Sequence, residues 1–178
     1  MNSIYIDYLA TPVGELILGS FGDKLCLCDW RYRKMRTEVD ARITEGLEAT
    51  YLPAETPVIE RAKAQLTEYF AGKRKEFDLP LLMVGTPFQQ GVWNALLEIP
   101  YGKTETYLGL SKCLNNPKAI RAVASANGAN AIAIIVPCHR IVGSKGELVG
   151  YAGGLPAKRK LLNLEATGAP HQLSLFEE

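Results

Sequence analysis

The chain has 178 residues, is 47% hydrophobic and 22% charged, and carries a formal net charge of +1. That length and apolar content are enough to bury a core, as one domain or two small ones, and they exclude a chain disordered throughout. No apolar run approaches the roughly 20 residues needed to span a bilayer, and the start, Met-Asn-Ser-Ile-Tyr-Ile-Asp, lacks a basic stretch leading into an apolar signal core, so a soluble cytoplasmic protein is expected.

Taken in order, Ile4–Leu9, Glu15–Ser20 and Leu25–Trp30 read as short strands joined by turn formers at 11–14 and 21–24, which predicts an antiparallel meander. Cys26 and Cys28, two apart on a strand, are expected to share one face as packing residues. Residues 31–55 are mixed and charged and give only a helix or a loop. Thr56-Pro57 supplies an N-cap followed by proline at the first helical position. Val58, Ala62, Leu66 and Tyr69 then recur at helical spacing as far as Gly72, predicting a helix packed on the strands. The first 80 residues thus read as a small α+β unit without recognisable chemistry.

Thr86-Pro87-Phe88-Gln89 opens a second helix at capping-box spacing, with Phe88, Val92, Leu96 and Ile99 as its apolar stripe. Thr106 is placed to cap a short helix from Tyr107 to Leu114. Asn115-Asn116 breaks it, and Pro117, at a first helical position, starts another that reaches about Asn127. Two short helices about a tight turn are a helix-turn-helix candidate, although any αα-hairpin gives the same signal. On the second of the pair, Ile120, Val123 and Ala124 form the inward stripe, and Lys118, Arg121, Ala122 and Ser125 the outward face. That face is basic and small, which suits close approach to nucleic acid as well as it suits a solvated surface. A last helix, about Pro156 to Thr167, carries Glu165 near its end beside Leu161 and Leu162, where a negative charge opposes the helix dipole and invites a partner.

The net charge is unevenly spread. Residues 101–160 hold nine Lys or Arg against Glu105 and Glu147, so that segment is +7 and the remainder −6, the footprint of phosphate binding if the charges are exposed. The four cysteines, Cys26, Cys28, Cys113 and Cys138, show no metal-ligand spacing, and only two histidines exist to supplement them, so structural zinc is poorly supported. One cysteine stands apart. Ala131–Val136 is an apolar run that Pro137 interrupts, placing Cys138 at its end with His139 and Arg140 beside it. Neither neighbour enters an apolar core without partners, and each favours the thiolate, so the thiol pKa is expected to fall from roughly 8.5 toward neutrality. Cys138 is the candidate nucleophile.

Pro137-Cys138-His139-Arg140, with Ile141-Val142 and Gly150-Tyr151-Ala152-Gly153-Gly154 after it, resembles the signature of the O6-alkylguanine-DNA alkyltransferases, the methylated-DNA:protein-cysteine methyltransferases. The likeness includes Thr86-Pro87-Phe88-Gln89, Pro100-Tyr101-Gly102, Asn116 to Val123 and Glu165, and covers about half the chain in order. It implies a ribonuclease-H-like scaffold over 1–80, a winged-helix-like DNA-binding methyltransferase unit over 86–168 and a tail over 169–178. It also implies a monomer that needs no metal or other cofactor and is associated with the nucleoid of a bacterium. The partner implied is duplex DNA carrying O6-alkylguanine, or O4-alkylthymine, approached from the minor groove.

By the same resemblance Arg121 is the finger that enters the stack in place of an extruded nucleotide, and Tyr107 crowds the 3′ phosphate and donates to the flipped base. Glu165, His139 and a water relay the proton from Cys138, and Asn130 ties down the turn beneath the cysteine. The Ala152 N–H stabilises the leaving guanine, the carbonyls of Cys138 and Ile141 accept from its exocyclic amine, and Tyr151 and Gly153 complete the wall. Ala131 and Ala133 stand where the family often has proline, implying a looser pocket, and Lys160 stands where an aromatic residue is frequent. Gln172, Leu173, Leu175 and Phe176 resemble the peptide that docks bacterial repair proteins on the sliding clamp, with a tail folded back on its own domain as the competing reading. A lesion sensor that flips bases without chemistry and a cysteine hydrolase are the alternatives. The presence of Cys138 speaks against the first, and the basic helix pair against the second.

Overall fold

The computed structural model describes residues 2–168; the tail with Gln172, Leu173, Leu175 and Phe176 lies outside them. The predicted meander forms from β1 (Asn2–Thr11), β2 (Gly14–Phe21) and β3 (Lys24–Trp30). Residues 31–55 hold a helix and a further strand, α1 (Arg36–Leu47) and β4 (Ala49–Pro53), and β4 joins parallel to β1, giving the order β3-β2-β1-β4. Only Val39 and Ile43 are buried along α1, too few to mark an apolar stripe among its charges. Helix α2 (Pro57–Phe70) follows its sequence: Thr56 Oγ1 accepts from Ile59 N at 3.3 Å, and Val58, Ala62, Leu66 and Tyr69 are buried.

The two cysteines of β3 do not share a face. The register with β2 steps from Gly19↔Leu27 to Ser20↔Leu25, so Cys26 is the extra residue of a β-bulge. The bulge turns Cys26 and Leu27 toward Val39 and Ile43 of α1, while Leu25, Cys28 and Trp30 face α2 and the second half of the chain.

The outer edge of β3 anchors the rest of the chain. Leu25 N donates to Pro80 O (2.8 Å) and Leu82 N to Leu25 O (2.9 Å); beyond the bulge, Cys28 N donates to Ala131 O (2.8 Å) and Ala133 N to Cys28 O (2.6 Å). An open sheet edge is thereby closed, and the segment leading to Cys138 is fixed to the first sheet.

The second half contains α3 (Pro87–Leu96), opened by a complete Thr86–Gln89 capping box, β5 (Glu105–Thr106), α4 (Tyr107–Cys113), α5 (Ile120–Gly128), β6 (Ile141–Val142), parallel to β5, and α6 (Leu155–Thr167). Thr106 caps α4 as predicted, its Oγ1 accepting from Gly109 N at 2.9 Å. Helix α5 departs from the prediction. Asn115 takes a left-handed conformation (φ 57°), Asn116 N returns to Ser111 O, and Ala119 N closes on Asn116 O, so Pro117 and Lys118 lie in the turn and α5 starts three residues later. Its buried residues are Val123, Ala126 and Asn127; Ile120 is exposed and Ala124 half-buried. No helix among the described residues is long and apolar enough to cross a membrane.

Candidate active site

Ala131–Val136 is buried throughout, yet it coils instead of extending. Ile134 has φ 70°, a left-handed conformation that costs an L residue roughly 1–2 kcal/mol. The Asn130 side chain holds the coil together: Nδ2 donates to Val136 O (2.9 Å) and Ile132 O (3.3 Å), and Oδ1 accepts from Ile132 N (3.0 Å). Cys138 N closes on Val136 O at 2.8 Å, and Cys138–Arg140 forms one turn of 3-10 helix. Cys138 is thus carried on a rigid knot of backbone and is only 4% exposed.

His139, through Nε2, and Arg140 both reach Glu165, which α6 presents. The Glu165 carboxylate accepts five hydrogen bonds. Oε2 takes His139 Nε2 (2.6 Å), the Tyr69 hydroxyl (2.6 Å) and Arg140 Nη2 (3.1 Å); Oε1 takes Arg140 Nε (2.8 Å) and Gly102 N (3.3 Å). Such a crowd of donors requires an ionised acid. Burial alone pushes the Glu165 carboxyl up, but hydrogen bonding and charge from His139 and Arg140 outweigh it and hold the group well below the usual carboxylate range. An ionised Glu165 only accepts, so Nε2 of His139 carries the proton, and Nδ1, buried with no protein partner among the described residues, presents its lone pair. Burial lowers His139, Glu165 only partly opposing it, and the ring is neutral near pH 7.

The thiol does not behave as its sequence neighbours suggest. Burial pushes Cys138 up to about 11, a hydrogen bond from Asn130 being the leading opposing influence. The expectation of a thiol drawn toward neutrality fails because burial outweighs every influence that lowers the thiol, while His139 and Arg140 spend hydrogen bonds on Glu165. Tyr107 and Tyr151 also feel the Cys138 charge, although burial is the larger cause of their raised hydroxyls. Tyr107 Oη donates to Val149 O at 3.3 Å, and Lys158, fully buried, donates from Nζ to Val149 O and Gly150 O at 3.2 Å each. The 149–154 loop is therefore tied to α4 and α6 beside the sulfur. Its far side rests on Trp30: the Tyr151 ring meets the indole edge-on at 6.0 Å, and a Cβ on Gly153 would lie 2.7 Å from an indole carbon. The Cys138 carbonyl accepts the Ile141 N–H and keeps one lone pair for another donor.

Two family models match this chain. That for the DNA binding domain of 6-O-methylguanine DNA methyltransferase covers residues 87–167, and that for its ribonuclease-like domain covers residues 4–83. The chain belongs to the 6-O-methylguanine DNA methyltransferase family. The methylated-DNA--protein-cysteine methyltransferase of Mycobacterium bovis is 50% identical over 98% of this chain and 99% of its own length. The constitutive enzyme of that name from Bacillus subtilis is 42% identical over 90% of this chain and 94% of its own. Among solved structures, Mycobacterium tuberculosis OGT in complex with DNA aligns with a TM-score of 0.81 and 42% identity, covering 98% of this chain and 99% of that one.

In this methyltransferase Asn130, Cys138, His139 and Ile141 lie in one short stretch, Tyr107, Tyr151 and Ala152 pack against the same core, Gly153 rests on Trp30, and Glu165 bonds the histidine. Arg121, Ala122 and Ser125 are exposed on α5, with Lys118 in the turn before it. The basic segment is less of a surface patch than its charge count suggests, since Arg140 and Lys158 are buried; Lys103, Lys112, Lys118, Arg121, Lys145 and Arg159 remain exposed. Among the described residues, no group of three or more His, Cys, Asp or Glu is arranged to hold a metal.

Sequence reasoning missed the contribution of the first half. Arg33 donates to Gly128 O (2.7 Å) and Asn130 O (3.2 Å) while paired with buried Asp29, and Arg42 donates to Ala129 O (2.7 Å). Both arginines sit on the last carbonyls of α5, where positive charge complements the helix dipole. Tyr69, on the predicted inward stripe of α2, reaches Glu165. The available signal was chemical: a tyrosine on a core stripe needs a partner for its hydroxyl.

Proposed function

We propose that this chain repairs alkylated DNA by direct reversal, with Cys138 taking the alkyl group from O6-alkylguanine in one irreversible step. The observation that carries the reading is the buried Cys138 beside a neutral His139 whose tautomer Glu165 fixes. A thiol near 11 is protonated at pH 7, and ionising it unaided costs about 5 kcal/mol. A base that takes the proton as the S–C bond forms removes that requirement, and His139 Nδ1 is such a base.

The alkylated oxygen lies inside the duplex, so the nucleotide must leave the stack to reach a sulfur this buried. Arg121, projecting from the small outward face of α5 with Lys118, Ala122 and Ser125 around it, fills the gap from the minor-groove side. Tyr107 and the 149–154 loop receive the base. Cys138 Sγ attacks the alkyl carbon, the C–O6 bond breaks, and His139 Nδ1 receives the thiol proton, through a water in the relay implied by the family. Tyr107 and the Ala152 N–H stabilise the departing guanine anion, while the carbonyls of Cys138 and Ile141 hold its exocyclic amine. O4-alkylthymine offers the same kind of electrophilic carbon. The thioether left on Cys138 has no hydrolytic route back to a thiol, so each molecule reacts once.

A DNA substrate places the protein at the nucleoid, and the tail residues Gln172, Leu173, Leu175 and Phe176 extend the proposal to a sliding clamp. Deleting residues 170–178 is then expected to abolish clamp binding; undiminished binding removes that part. The main reading is tested by titrating a duplex containing O6-methylguanine with protein. The lesion removed saturates at one per protein molecule, and repeated turnover, or binding without removal, overturns it.

A further inference from the structure

We propose that Tyr69, from the ribonuclease-like half, is a positioning residue of the transfer site: its hydroxyl pins Glu165 Oε2 against His139 and so sets how strongly Nδ1 draws the Cys138 proton. The proposal rests on the alkyl-transfer reading above and adds to it a control exerted from 96 residues away in sequence.

The geometry is specific. Tyr69 is fully buried, packed edge-on against Phe70 (5.2 Å between centroids) and Tyr101 (6.2 Å) and tilted against Phe77 (5.6 Å). That aromatic nest leaves its ring one direction, toward α6, and its hydroxyl ends 2.6 Å from Glu165 Oε2, the oxygen that also holds His139 Nε2 at 2.6 Å. Burial, then the adjacent Glu165 charge, keep the hydroxyl well above its ordinary pKa, so it remains a donor at any working pH. Two short bonds on one oxygen compete: each donor draws off negative charge that the other would otherwise feel.

The other charges around His139 are fixed. Arg140, from the same turn, grips both carboxylate oxygens and donates to Ile99 O (2.7 Å). Lys158 of α6 acts on His139 in the same direction as Arg140. Tyr101, on the loop after α3, lies beneath the Arg140 guanidinium (5.8 Å) and the Lys75 ammonium (5.7 Å), and Gly102 N binds Oε1. Tyr69 is the neutral donor on the histidine's own oxygen, so its hydroxyl adjusts the basicity of His139 without adding charge. Removing it lets Glu165 stabilise the imidazolium more strongly. His139 then titrates at a higher pH, and below that pH it holds a proton and cannot accept one from Cys138.

The test is the pH dependence of single-turnover transfer from an O6-methylguanine duplex, measured for wild type, Tyr69→Phe and Phe77→Leu. Phe77→Leu loosens the same aromatic nest without touching the carboxylate. Tyr69→Phe is expected to move the acidic limb upward by about one unit, so that transfer slows by up to about tenfold on the limb itself and stays within about twofold of wild type near pH 8.5. The His139 imidazole signal, read by NMR in a His171→Gln background that leaves one histidine, moves with it. An unshifted limb, or the same change in Phe77→Leu, overturns the proposal and leaves Tyr69 a packing residue. Failure of the wild type to accept any methyl group refutes the transfer reading itself, which separates the two.

Discussion

Replacing Asn130 with alanine tests whether one amide holds the backbone knot that presents Cys138. Three hydrogen bonds to the backbone go with it, but the consequences are unequal. Ile132 O retains Val136 N (3.0 Å) and Val136 O retains Cys138 N (2.8 Å), so both carbonyls keep a partner. Ile132 N loses the partner it has at Asn130 Oδ1, in a residue only 2% exposed. An orphaned buried donor costs about 1–3 kcal/mol and each of the other bonds about 1 kcal/mol, so Asn130→Ala is expected to destabilise by about 4 kcal/mol. For a chain of this length that lowers Tm by about 10 °C. Ile134, no longer held at φ 70°, is free to relax toward ordinary backbone, carrying the sulfur with it, and a displacement near 1 Å slows transfer about a hundredfold. Thermal unfolding and single-turnover transfer measure the two effects. A Tm within about 2 °C of wild type, or full-rate transfer, refutes the reasoning.

Glu165→Gln removes the anion under buried Arg140 and places an amide donor among five others, so it is expected to cost about 3–5 kcal/mol in denaturant unfolding; an unchanged midpoint contradicts the network. Acid stability depends on the same groups. His139 and Glu165 both titrate lower folded than unfolded, so the unfolded state takes up each proton first, and stability present at neutral pH is lost on acidification, below about 6.5 for His139 and then below about 4.5 for Glu165. Unfolding midpoints that hold level or rise between pH 7 and pH 4 oppose this. Gly153→Ala drives a methyl into the Trp30 indole and is expected to destabilise by about 1–3 kcal/mol and slow transfer, with partial recovery when combined with Trp30→Leu; additive losses in the double variant argue against contact.

The site was legible in the sequence to the extent that its residues are neighbours in the chain or sit on clean periodic elements. Cys138, His139 and Arg140 share one turn, Thr106 and Thr86 cap the helices their spacing announced, and Glu165 was conspicuous as an acid at the wrong end of a helix. The features that escaped depend on contacts between distant segments. The parallel pairing of β4 with β1 leaves no local mark in a short strand that comes after a charged helix. Cys26 and Cys28 obey a two-residue alternation on paper, and a bulge reverses it. The neighbour argument for an acidified thiol failed for a related reason: adjacency in sequence does not say how deeply the fold buries Cys138, and burial outweighs every influence that lowers the thiol. Tyr69 and Trp30, from the half that looked chemically silent, reach Glu165 and the 149–154 loop because β3 carries the Cys138 segment along its edge.

The measurement that tests the account most directly is the intact mass of the protein after stoichiometric incubation with a duplex carrying one O6-methylguanine, with peptide mapping of the product. The account predicts a gain of about 14 Da, a methyl in place of the thiol hydrogen, located on Cys138 and absent from Cys138→Ala. An unmodified mass despite tight binding of the lesion, or a methyl group on Cys113 or another residue, contradicts it.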